Sequence, residues 1–211
     1  MKIQERLKNL KELVEFKQDE FIFVQIFQRR KDNPDLELSV KRLKSYSFYS
    51  WEELEKQIPR IEEICDLNNA RAYIRLNKQN AVDVSLRCIT EMAENLRKGN
   101  ASNNKGVWDS VSGQAGSKDW WVLDLDTEHL HLKLDIANEL SWSYEERKNK
   151  FFGEIIYFNE TKSGVHVICK PFDTRILEKY NKELSSKGIQ TIQIQKDANT
   201  VLYIGTQQDK K

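Results

Sequence analysis

Three times along this chain, two runs rich in β-branched and aromatic residues follow one another with only a turn or short loop between them. No other feature constrains the fold as much. FIFVQIFQ (Phe21 to Gln28) is followed, past a charged loop around Pro34, by Leu38 to Tyr46. FFGEIIYFN (Phe151 to Asn159) precedes VHVICKPF (Val165 to Phe172) across the turn ETKSG, and IQTIQIQK (Ile189 to Lys196) precedes TVLYIGT (Thr200 to Thr206). Strands joined this closely are read as hairpins and paired strands, which favours antiparallel pairing.

Between these pairs the apolar period changes from two to that of a helix. Ile3, Leu7, Leu10 and Val14 predict a helix over residues 2 to 17. Ser50 with Glu53 forms a capping box before Ile58, Ile61 and Cys65, and Pro59 predicts a kink or a division of that helix in two. ARAYIRLN (Ala70 to Asn77) reads as a strand, followed by a helix marked by Val82, Leu86, Ile89, Ala93 and Leu96 and closed by Gly99. WWVLDLD (Trp120 to Asp126) is a second such strand, and Thr127 caps a helix through Leu130, Leu134, Ala137 and Leu140. Asp173 caps a last helix that Gly188 ends, and residues 99 to 118, without a period, predict a long mobile loop bordering any site at the following strand. The order predicts an α+β fold with a mixed or antiparallel sheet covered by helices on one face.

The length of 211 residues suits one domain, and nine Phe, seven Tyr and five Trp allow a sizeable core although 32% of residues are charged. A net charge of +1 provides no global field for a polyanion, so any nucleic-acid contact rests on local patches. Cys65, Cys88 and Cys169 share no zinc or disulfide spacing, and no apolar run approaches a membrane span or a signal sequence. A soluble cytoplasmic protein with no membrane partner is expected.

Asp124 and Asp126 stand two apart on a strand and so project from one face, while Leu123 and Leu125 point the other way. Two carboxylates at a strand end suit a hard cation such as Mg²⁺ or Mn²⁺. The plainer account is an acidic helix start favouring the macrodipole. His166 follows the turn TKSG, in a strand where His166, Ile168 and Lys170 share one face. With Ser163, Gly164 and the two lysines Lys162 and Lys170 it forms a candidate triphosphate cradle, or else it is a half-buried hairpin histidine. In IQIQKD, Ile192 and Ile194 face the helices, and Gln193, Gln195 and Asp197 fall on the other side, unless Asp197 is simply a turn residue.

The succession of WVLDLD, a hairpin carrying SGVHV and a late strand with an acid resembles the archaeo-eukaryotic primase superfamily, the primase-polymerases of replication, repair, phages and plasmids. The resemblance covers Ala70 to Thr206 as core, with residues 1 to 69 as an N-terminal α/β extension, and implies an RRM-like catalytic core with a mixed or antiparallel sheet. It assigns Asp124, Asp126 and Asp197 to metal binding and His166 to the nucleotide motif, with Gly164 standing where the family has its serine and Ser163 one place earlier. The activity implied is template-dependent nucleotidyl transfer with Mg²⁺ or Mn²⁺, Asp124, Asp126 and His166 being catalytic. Nucleoside triphosphates would be bound by Ser163, Gly164, His166, Lys170 and Arg75, on a single-stranded or primed DNA template and with replication partners such as a helicase.

Two other readings stay open. One is a primase-like module that binds nucleotide or single-stranded nucleic acid without catalysis. The other is an aspartyl-phosphate phosphohydrolase built on DLDT, which the downstream hairpins disfavour. Trp108 and Trp120 are candidates for base stacking or for plain packing. Arg71, Tyr73 and Arg75 alternate on one strand face, as a template groove or a solvated face. Arg29, Arg30 and Lys31 with Lys41, Arg42 and Lys44 form a basic patch diluted by neighbouring acids.

Overall fold

The structure, a computed structural model, describes residues 3–114, 116–125 and 155–206. Along the chain these form α1 (Ile3–Leu13), β1 (Glu20–Arg29), β2 (Val40–Phe48), α2 (Trp51–Leu67), β3 (Arg71–Asn80) and α3 (Ala81–Arg97). A 3-10 turn (Ala101–Asn104), α4 (Val107–Ser112), β4 (Trp121–Leu125), β5 (Ile155–Glu160), β6 (Val165–Cys169), α5 (Thr174–Ser186), β7 (Gln193–Gln195) and β8 (Asn199–Ile204) follow. The class is α+β. The strands form two four-stranded sheets, ordered β2-β1-β3-β8 and β5-β6-β4-β7, and the chain falls into two compact units, Lys118–Thr200 and Lys2–Ser117 with Val201–Lys211. The expected helix after Thr127 lies outside the described residues. Among those described, no helix is long and apolar enough to cross a membrane.

In the larger unit, β1 is buried on both faces because its apolar run is unbroken from Phe21 to Val24. Phe21 and Phe23 meet Val84 and Cys88 of α3 and Val107 and Val111 of α4. From the opposite face Val24 and Ile26 pair with Ile74 and Ala72 of β3, all four buried. The first expected hairpin is present as antiparallel β1 and β2. Helix α2 is continuous through Pro59, so the expected division into two helices is not found. Proline costs about 3 kcal/mol inside a helix. Here it sits on the exposed side, while Leu54, Ile58, Ile61 and Cys65 are all buried opposite it, at roughly 1.5–3 kcal/mol for each large apolar side chain.

Residues 99 to 118 are not one long loop. Gly99, at φ +73°, ends α3, and the short α4 is pinned by its own apolar residues. The Trp108 ring stacks on Phe21 at 5.8 Å and its indole N–H donates to Ser47 Oγ at 3.1 Å, so this tryptophan is a packing residue. Arg71 is buried and grips the buried Asp32 with two hydrogen bonds of 2.7 and 2.8 Å, and Tyr73 OH accepts from Arg29 at 3.1 Å. The face of β3 read as groove or solvated surface is thus largely committed to internal contacts. The apolar stripe that marks α3, in contrast, points outward.

The last pair of strands does not form a hairpin. β7 pairs with β4, whereas β8 borders β3 in the other sheet. The turn between them passes through Ala198 at φ +52°, a left-handed conformation, and the strands then bury residues in different places. Ile194 of β7 packs beside Leu123 and Leu125, while Val201 and Leu202 of β8 are both buried. Past β8 the chain is fastened to the end of α2. Gly205 N–H donates to Ala70 O at 2.9 Å, and Asp66 accepts from Thr206 N–H at 2.8 Å and Tyr203 OH at 3.1 Å. Burial first, and Asp66 second, push the Tyr203 phenol up to about 12.

In the smaller unit β4 is central, antiparallel to both β6 and β7, and β5 pairs antiparallel with β6 as the expected second hairpin. One sheet face carries Leu123, Leu125, Val167 and Cys169 against Leu177 and Leu184 of α5. Asp173 caps α5 by accepting from Arg175 N–H at 3.1 Å, and burial pushes the Cys169 thiol up to about 12.

A Cβ at Gly205 would lie 2.3 Å from Cys65 O, an overlap with backbone that no rotamer relieves. Gly205→Ala is therefore expected to lower unfolding stability by about 1–3 kcal/mol, read as a lower urea midpoint. An unchanged midpoint would contradict this packing.

Candidate functional site

The alternation in WVLDL commits β4 to two chemistries. Leu123 and Leu125 enter the layer under α5, so Asp124 emerges on the opposite face. The antiparallel register sets Asp124 directly across from His166 on β6 and from Gln193 on β7, and sets His166 across from Asn159 on β5. Four polar residues, one from each strand, thus form a row across the sheet face opposite α5, where Asn159 and His166 are buried and Asp124 is partly exposed. Within the strands the expected parities hold: Leu123, Leu125, Val167, Cys169 and Ile194 lie toward α5, and Asp124, His166 and Gln195 lie on the other face.

His166 is 5% exposed and is held at both ring nitrogens. Its Nδ1 lies 2.9 Å from Thr200 Oγ1, which also accepts from Asn159 Nδ2 at 2.8 Å. Its Nε2 faces Asp124 Oδ1 at 3.6 Å, outside hydrogen-bond length but within electrostatic reach. The other carboxylate oxygen, Oδ2, accepts from Gln195 Nε2 at 3.2 Å. A bare Nε2 lone pair opposite a carboxylate is repulsive, which favours a proton on Nε2. A buried chain of polar contacts therefore runs from Asn159 through Thr200 and His166 and ends facing Asp124.

The other expected site residues are placed as follows. Asp126 lies outside the described residues. Ser163 is exposed and Gly164 buried in the β5–β6 turn, where Thr161 N–H donates to Gly164 O at 2.9 Å. Because Leu125 pairs with Val165, this turn lies at the end of the sheet toward which β4 runs. Lys170 has its ammonium 3.4 Å from the centroid of the Trp120 ring. The candidate phosphate ligand and the candidate stacking ring are thus joined in a cation–π contact. The register gives Gln193 to Asp124 and Gln195 to Val122, and Asp197 follows in the turn beyond β7. Arg75 belongs to the larger unit, 6% exposed on β3 opposite Phe23.

Asp124 fits a hard divalent cation as one ligand. Its side chain is 31% exposed, and a carboxylate has about four lone-pair directions, of which Gln195 takes one. Among the described residues, no three His, Cys, Asp or Glu side chains converge as a metal site. No family model, curated protein or solved structure matches the chain.

Sequence reasoning missed the roles of Asn159 and Thr200. Asn159 was legible in principle, because a hairpin register places it beside His166. Thr200 had no local signal, since its contact with His166 joins positions 34 residues apart. Thr200→Val removes the hydroxyl from the middle of the chain at nearly constant shape. It should cost about 1–3 kcal/mol of stability, the usual penalty for orphaned buried polar groups, whereas Thr200→Ser should retain most of it. Equal urea midpoints for Thr200→Val and the wild type would contradict the assigned hydrogen bonds.

Proposed function

We propose that this chain is a metal-dependent nucleotidyltransferase of the primase-polymerase kind and that its smaller unit is the RRM-like core of that family. It would act in the cytoplasm on nucleoside triphosphates and a single-stranded or primed DNA template, alongside replication proteins such as a helicase. One observation supports this reading above the others: Asp124 and His166 face each other across two adjacent antiparallel strands, on the sheet face opposite α5. The family resemblance asks for its acid and its histidine in that relation.

In this reading Asp124 and Asp126 hold the divalent ion, Mg²⁺ or Mn²⁺, which when bound neutralises charge on the triphosphate. Asp124 is oriented from both sides, by the Gln195 amide and by the His166 ring. His166 would present Nε2 beside Asp124, the partly exposed group of this face, where its N–H could be donated to a phosphate oxygen. The turn bearing Ser163 and Gly164 stands at the same end of the sheet and would supply a hydroxyl and backbone N–H groups to the phosphates. Phosphoryl transfer depends chiefly on positioning and charge stabilisation, which a rigid row of side chains on a sheet provides.

A module that binds nucleotide or single strands without catalysis is favoured by a different observation. The β7 residues flanking Asp124 are the amides Gln193 and Gln195, not acids. Activity separates the two readings. The protein with template, nucleotides and Mg²⁺ or Mn²⁺ should start or extend a strand, Asp124→Ala should reduce this by several powers of ten with the fold intact, and His166→Ala should chiefly raise the nucleotide KM. Binding of nucleotide or single strands with no synthesis under either metal would establish the binding module instead.

A further inference from the structure

Helix α3 has two apolar faces, and the described residues cover only one. Val84 and Cys88 close over Phe21 and Phe23. Val82, Leu86, Ile89 and Leu96 are 53%, 58%, 64% and 60% exposed, with Met92 beside them at 40%. Scattered exposed apolar residues need no explanation, but a continuous stripe along a whole helix marks an interaction surface. Counting Ala93, the steps from Val82 to Leu96 are four, three, four and three, the seam of a heptad pattern. The helix is well framed, with Asn80 accepting from Val82 N–H and Asp83 N–H at its start and Gly99 turning the chain at its end.

We infer that this stripe is a self-association surface, on which a second copy of the chain docks its own α3 antiparallel about a two-fold axis passing near Ile89. Charge selects the orientation. Asp83 and Arg97 flank the same side of the seam at opposite ends, both exposed, and Arg97 keeps 72% of its side chain in solvent while it pairs with Glu94 at 3.2 Å. An antiparallel pair sets Asp83 of each copy beside Arg97 of the other, whereas in a parallel pair these two flanking positions lie on opposite sides of the seam and the attraction is lost. In the antiparallel arrangement Val82 of one copy meets Leu96 of the other, Leu86 meets Ala93, and Ile89 meets itself, so the face is self-complementary as a two-fold interface requires. Two such stripes in contact remove roughly 1,000 Å² from water, about the lower bound for a specific protein interface.

The test uses the whole chain in sedimentation equilibrium over a wide concentration range. The wild type should dimerise, and Ile89→Arg should raise the dimer dissociation constant at least about tenfold. At a concentration low enough for the wild type to be monomeric, the urea midpoint of the variant should match it because Ile89 is exposed, which separates lost association from lost folding. Asp83→Arg alone should weaken the dimer, and Asp83→Arg combined with Arg97→Asp should restore it. Ile89→Cys should form a disulfide between copies under mild oxidation. A wild type monomeric at every concentration, or a dimer unmoved by Ile89→Arg, would overturn the inference and assign the stripe to some other covering.

Discussion

The candidate site depends on one constraint, the register of β4 against β6. In WVLDL every second side chain is apolar, and burying Leu123 and Leu125 under α5 forces Asp124 onto the opposite face. A slip of one residue would drive the carboxylate into the apolar layer, at a cost of several kcal/mol for an unpaired charge, and bring the leucines out. The same register brings His166 opposite Asp124 and Asn159 opposite His166. The polar row is thus a by-product of core packing, and it is rigid for the same reason.

That rigidity suits the chemistry proposed. His166 is enclosed, with its ring fixed at Nδ1 by Thr200, and Asp124 is fixed by Gln195 from the other side. Neither group pays much ordering entropy when a ligand arrives, because both are ordered beforehand. Asp124, being partly exposed, remains the point of access on this face.

Side-chain parity was highly legible in the sequence, because the strands alternate cleanly and parity needs no knowledge of the partner strand. Asp124, His166, Gln195 and the inward leucines were all assignable to faces in this way. Partner choice was less legible. β7 and β8 look like a hairpin, yet Ala198 turns the chain and each strand joins the sheet where its own apolar residues are buried. Pro59 gave a strong local signal that tertiary burial overrode, and Val107 with Val111 made a short helix within a Gly- and Ser-rich run because Phe21 and Phe23 offered them a surface. The α3 stripe was plain as a period, but a period alone does not say which side faces the core.

The proposed function requires the face bearing Asp124 and His166 to bind metal and nucleotide together. Paramagnetic broadening by Mn²⁺ tests this directly, with side-chain NMR signals followed in the whole protein as Mn²⁺ is added with a nucleoside triphosphate. The His166 ring and the Gln195 side-chain amide should broaden first, Leu177 and Leu184 beneath the sheet should broaden later, and Asp124→Ala should remove the preference. Signals at His166 and Gln195 that stay sharp while others broaden would contradict the proposed function.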